Sequence, residues 1–235
     1  MTYTNSPLVD YTQISPHRGN RNGHVIDTIT IHCAAAQAAV ETLGRLFQAK
    51  QASANYGIGA DGRVGMYVEE KDRSWCTSNN ANDARAVTIE VACDNRHPYA
   101  VKDAVYKKLI TLVADICKRN GIAKLVWSTD KYDRMNHKGG CNMTVHRDYE
   151  NKACPGQWLY ERHGQIAAEV NKRLTEDEEM VRWNKLEDVP EGFYRDTVRQ
   201  LMQDGIIKGK GNGVIDLTED MLRVMIFCQR IMEGK

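Results

Sequence analysis

The chain has 235 residues, of which 42% are hydrophobic and 27% charged, with a formal net charge of +1. That is enough for one sizeable core and a small second module, in an ordinary globular composition. The net charge alone says nothing about partners, the expectation is no nucleic-acid partner, and no apolar run is long enough to insert into a membrane.

Residues 1–25 are polar and turn-rich and read as an extended arm. The first strand is Ile26–His32, where Ile29 and Ile31 alternate with Thr28 and Thr30. An amphipathic helix follows from about Val40 to Lys50, with Leu43, Leu46 and Phe47 at helical spacing. Asp61-Gly62 marks a hairpin turn after Asn55–Ala60. A second strand covers Ala86–Ala92, with Val87, Ile89 and Val91 on one face and Thr88 and Glu90 on the other.

A long helix is predicted from about Lys102 to Arg119, stopping at Asn120-Gly121. A short strand around Leu125–Trp127, a glycine loop at Gly139-Gly140, the segment Asn142–His146 and a helix from about Trp158 to Leu174 complete residues 1–174. Strands interleaved with helices imply an α/β fold, a mixed central β-sheet flanked by helices. The charged run Thr175–Glu179 reads as a linker, and residues 175–235 as a small, mainly helical C-terminal module with helices near Val189–Ile207 and Thr218–Met232. This module carries 9 Lys/Arg against 13 Asp/Glu, leaving 23 against 18 in front of it.

Seven cysteines stand singly, without a CxxC, which suits reduced thiols rather than a disulfide framework. One has a second meaning. In His146-Arg-Asp-Tyr-Glu-Asn-Lys152-Ala-Cys154-Pro155, a histidine and a cysteine stand eight residues apart with a lysine between them. His32 ends a strand and faces away from Ile31. Two imidazoles and a thiolate suit Zn²⁺ and leave a fourth position for water, the layout of a catalytic site. The other histidines (His17, His24, His97, His137 and His163) lack such partners and are read as structural or solvated, and Trp75 as core or groove wall.

Thr-Ile-His32, Ser53–Ile58 with Asp61-Gly62, Val87-Thr-Ile-Glu90 and His146-x5-Lys152-x-Cys154-Pro155 follow one another in an order that resembles the type-2 N-acetylmuramoyl-L-alanine amidase family, over about residues 24–174. The resemblance implies the fold shared with peptidoglycan recognition proteins. It implies that His32, His146 and Cys154 hold zinc, that Glu90 is the catalytic carboxylate and that Lys152 stabilises the transition state. Some relatives add a catalytic tyrosine two residues before the aromatic of the post-helix strand. Ala54 takes that place here if Tyr56 is the aromatic, so proton transfer falls to Glu90.

The implied reaction is hydrolysis of the amide between the lactyl group of N-acetylmuramic acid and L-Ala in bacterial peptidoglycan. The alternative is a peptidoglycan-binding receptor without activity, though binding-only members typically lack the thiolate. Met1–Pro7 carries neither a basic nor an apolar signal region, so the expectation is a product made in the cytoplasm that reaches the wall after release, as a phage or prophage endolysin does. Residues 200–223 are similar to one S-layer-homology unit, which implies wall binding for the tail, with homodimer formation as its other role.

Overall fold

Alternation of threonine and isoleucine gives the sheet two chemically different faces, and that contrast organises the molecule. The computed structural model describes residues 3–179 and 182–232. In chain order the elements are β1 (Tyr11–Thr12), β2 (Arg18–Asn20), β3 (Thr28–Cys33), α1 (Val40–Ala49), β4 (Tyr56–Ile58), β5 (Val64–Met66), β6 (Asp72–Ser74), α2 (Asn80–Arg85), β7 (Ala86–Val91), α3 (Asp103–Asn120), α4 (Lys131–Met135), β8 (Met143–Thr144), α5 (Gln157–Glu179), β9 (Arg182–Trp183), α6 (Phe193–Gln203), β10 (Leu217–Thr218) and α7 (Glu219–Met232). They fall into two compact units, residues 1–174 and 175–235.

The first unit is built on a mixed six-stranded sheet of order β1-β5-β4-β7-β3-β8. The β4–β5 hairpin is antiparallel, and the other neighbours run parallel. Ile29, Ile31, Tyr56, Ile58, Val87, Ile89 and Val91 share one apolar cluster with Leu109, Leu112, Val113 and Ile116 of α3 and Ile166 and Val170 of α5. Each fully buried aliphatic side chain there contributes about 1.5–3 kcal/mol. α3 ends where Gly121 takes a left-handed conformation, φ 70°, and its amide donates back to the Cys117 and Lys118 carbonyls.

The other face carries Thr28, Thr30 and His32 on β3, Thr88 and Glu90 on β7, and Thr144 on β8. Beside it, α1 buries Leu43 and Phe47 in a smaller cluster with Ala54 and Tyr67. Gly65 makes room for this layer: a Cβ there would sit 2.2 Å from the Tyr67 hydroxyl, which donates to the Val40 carbonyl at 2.8 Å. α2 covers the polar face and inserts Asn82 between Thr30 and Thr144.

Three expectations need correction. The N-terminal arm is not merely extended. Its residues 1–2 lie outside the described residues, but β1 pairs with β5 and β2 with β6. No strand forms at Leu125–Trp127, because side chains capture its hydrogen bonds: Leu125 N donates to Asn171 Oδ1 and Val126 N to Asn142 Oδ1. The charged run Thr175–Glu179 is no loop either, since α5 continues through it to Glu179.

The second unit has its own core of Trp183, Val189, Val198, Leu201, Ile207, Ile215, Leu217 and Leu222. β9 and β10 pair antiparallel, and Thr218 caps α7 by accepting from the Met221 amide at 3.2 Å. No helix among the described residues is long and apolar enough to cross a membrane.

Candidate metal centre

Parallel pairing of β3 with β7 sets His32 directly beside Glu90, near the carboxyl ends of both strands. Ligands of open α/β sheets bind at that edge. β8 adds the next register step, and the chain leaves it through Val145 into a short 3₁₀ turn, His146–Asp148. The turn is anchored from behind. Asp148 accepts from Arg134 Nε at 2.7 Å and Nη2 at 2.6 Å, a bidentate pair whose side chains are 1% and 2% exposed. The Arg134 guanidinium also lies 4.6 Å from the Trp127 ring centroid. Arg147 holds the next loop, donating to the Ala153 carbonyl at 2.6 Å while its guanidinium rests over Tyr160. Cys154 is thereby carried back to β3.

Donor atoms of His32, His146 and Cys154 all lie within 4.8 Å of one another. Cys154 Sγ is 3.3 Å from His32 Nδ1, and the two imidazole centroids are 5.1 Å apart. The Nε2 atom of His146 is buried with no hydrogen-bond partner, and His32 turns its Nδ1 towards Cys154. Unpartnered buried nitrogens are costly unless something binds them. Burial, followed by the neighbouring His146, holds His32 neutral down to about pH 3. Burial, then the Lys152 charge, also lowers His146. Neutral imidazoles beside a sulfur are the ligand chemistry of a borderline-soft divalent ion, and the residues present fit one.

Glu90 points its Oε2 into a buried position without a donor, and burial raises its carboxyl to about 7. Lys152 is exposed on the ligand loop, and its charge reaches His146. Four of the five residues singled out in the sequence, His32, Glu90, His146 and Cys154, therefore gather at one edge of the sheet, and Lys152 stands on the exposed loop two residues before Cys154. Ala54 is buried with Leu43, Phe47 and Tyr67, while Tyr56 donates to Glu70 Oε1 at 2.7 Å within the core. Among the other histidines, His163 gives its Nδ1 to the Leu159 carbonyl contact at 2.7 Å, and His17 stacks near Trp75. Neither joins a metal-ligating group among the described residues.

Sequence reasoning missed the floor and one wall of the site. The floor is a hydrogen-bonded net in which Thr30 and Thr144 hydroxyls meet at 2.7 Å, and Thr144 and Tyr149 donate to Asn82 Oδ1 at 2.8 and 3.0 Å. A second net links Ser74, Thr88 and Asn55. The alternation of threonines on β3 was the available signal for it. The wall is Cys76, whose sulfur groups with His32 and Glu90, all three donor atoms within 4.8 Å of one another. A cavity of about 470 Å³ lies elsewhere. It is lined by Ile26, Asp27, Gly121 and Asn142, at the amino ends of the strands and away from these groups.

A sequence profile described as N-acetylmuramoyl-L-alanine amidase matches residues 22–157. Among solved structures, the chain is similar to a selenomethionine derivative of AmpD, with a TM-score of 0.51 and 17% identity over 71% of this chain and 99% of that one. It is also similar to the endolysin N-acetylmuramoyl-L-alanine amidase LysCS from Clostridium intestinale URNW, with a TM-score of 0.51 and 17% identity over 72% of this chain and 99% of that one. The amidase LysC of the same organism gives 0.50 and 18%, over 69% and 95%. At these identities the likeness speaks for the fold. No curated protein sequence matches the chain.

Proposed function

The chain belongs to the N-acetylmuramoyl-L-alanine amidase family and is a peptidoglycan amidase, and from that premise we propose that it works through one zinc ion held by His32, His146 and Cys154, with Glu90 and Lys152 as its catalytic residues. The observation that carries this reading is the convergence of those three donors beside the half-buried carboxylate of Glu90, whose Oε2 has no donor. When bound, zinc supplies Lewis-acid polarisation of the amide carbonyl and lowers the pKa of a coordinated water towards neutrality.

The chain's own residues do the rest. Glu90 takes the proton of the attacking water at its carboxylate and later returns it to the departing L-Ala amine. A carboxyl raised to about 7 is matched to both duties near neutral pH. Lys152 sets its ammonium against the oxyanion that develops on the lactyl carbonyl. The Thr30–Thr144–Asn82 net holds the β3 and β8 ligand segments in place, so little reorganisation accompanies the reaction.

We further assign the enzyme an endolysin-like life, acting on the wall after release from the cell that makes it. Residues 1–174 form the catalytic domain, and residues 175–235 a module for wall binding or dimerisation. Digestion of purified walls tests the chemistry. Wild-type protein is expected to free new L-Ala amino termini. Glu90→Ala protein is expected to free none while keeping its metal. Release of reducing sugars in place of amines would refute the bond assignment.

A further inference from the structure

Cys76 has no part in the proposed reaction, yet it is held in position with care. The Cys76 and Thr77 amides both donate to Asp83 Oδ2, at 3.0 and 3.1 Å, and the Thr77 hydroxyl donates to Oδ1 at 2.6 Å. On the preceding side, Ser53 Oγ accepts from the Trp75 amide at 2.9 Å, and the Ser74 hydroxyl meets Thr88 at 2.7 Å. A segment tied at four successive residues presents its thiol in a defined place. That place adjoins Glu90 and His32.

Two further observations point to a ligand. His32 is 1% exposed and turns Nδ1 to Cys154, leaving Nε2 buried and unpartnered. Glu90 Oε2 is likewise buried without a donor. The edge of the sheet thus holds two donor sets that share His32, one with His146 and Cys154 and one with Cys76 and Glu90. Sulfur, imidazole and carboxylate together favour a thiophilic divalent cation such as Zn²⁺, Co²⁺ or Cd²⁺ over Mg²⁺ or Ca²⁺.

We propose that Cys76, Glu90 and His32 form a second site for a thiophilic divalent cation, filled only when such an ion is in excess, and that its filling silences the enzyme by engaging Glu90. As the ion enters, the Cys76 thiol and the remaining His32 ring N–H each release a proton to water, and metal–sulfur and metal–nitrogen bonds form with His32 as a bridging imidazolate. Repulsion from an ion in the first set, and the need to share one imidazole, make this site the weaker of the two. The silencing rests on the proposed role of Glu90, whereas the metal binding does not.

The test is a Co²⁺ titration of the metal-stripped full chain, followed by bound-metal analysis and by thiolate-to-cobalt charge-transfer absorption. Wild-type protein should take two equivalents in separable phases, with thiolate absorption growing in both. Cys76→Ser protein should keep the first phase and lose the second equivalent with its absorption. The retained first phase also certifies that the variant is folded. Saturation of wild type at one equivalent, or a second phase undiminished in Cys76→Ser, overturns the proposal. Absence of the first, Cys154-dependent phase would instead strike the zinc reading above, so the two failures are distinguishable. Loss of excess-zinc inhibition of wall digestion in Cys76→Ser is the accompanying functional result.

Discussion

Replacing Cys154 by serine keeps the shape of the ligand loop but exchanges a thiolate for a hydroxyl, a far poorer ligand for a borderline-soft ion. Loss of a group that merely supports a metal ligand already costs about 10–100-fold in affinity, so loss of the ligand itself should exceed that. Competition with a chromophoric chelator measures it. His163 supplies a different kind of prediction. Burial, with Arg134 and Arg147 adding like charge, brings its pKa down to about 4, although the Leu159 carbonyl and Asp148 pull the other way. Above the unfolded value of about 6.5 the ring is neutral in both states and costs nothing. As pH falls from there towards 4, the unfolded chain binds a proton that the folded chain refuses, and stability is lost, on the order of 3 kcal/mol for this residue. His32 and His146 act in the same direction. Urea midpoints of metal-free protein should therefore fall through this window, and less steeply in His163→Phe. The convergence of His32, His146 and Cys154 was legible in the sequence from their chemical types. Cys76 was not, because the approach of its thiol to Glu90 is set by Asp83 and by strand register rather than by a spacing.

At the scale of elements, alternation and caps were informative where hydrogen bonds stay local. β3, β7, the β4–β5 hairpin and α3 lie close to where their patterns placed them. The segment at Leu125–Trp127 reads as a strand because its side chains suit one, but Asn142 and Asn171 occupy its amides. The run at Thr175–Glu179 reads as a linker by charge, yet it extends α5. The Arg134–Asp148 pair was invisible for a related reason, since its partners are 14 residues apart and belong to no motif. Breaking it leaves an uncompensated buried charge, so Arg134→Ala should cost roughly 3–5 kcal/mol, read from denaturant unfolding. The loss should appear also as weaker metal binding, because Asp148 stands two residues beyond His146 in the same turn.

For the whole molecule, two separate cores imply two cooperative units. A chain ending at residue 174 retains the entire main sheet, α3 and His32, His146 and Cys154. It should fold, bind metal and cleave soluble muropeptides at a rate within about threefold of the full chain, an allowance for the uncoupled sites expected from additivity. If the second unit is a wall-binding module, the same truncation should lose retention on sedimented walls. Full retention by the truncated chain would reassign residues 175–235 to self-association.

Of the three proposed metal ligands, the first stands at position 32 and the last 122 residues later, beyond every strand of the main sheet. On the ribosome this spacing acts as a timer. A nascent chain that has displayed β3 and β7 still lacks the sulfur, and so cannot assemble the full ligand set until the closing loop emerges.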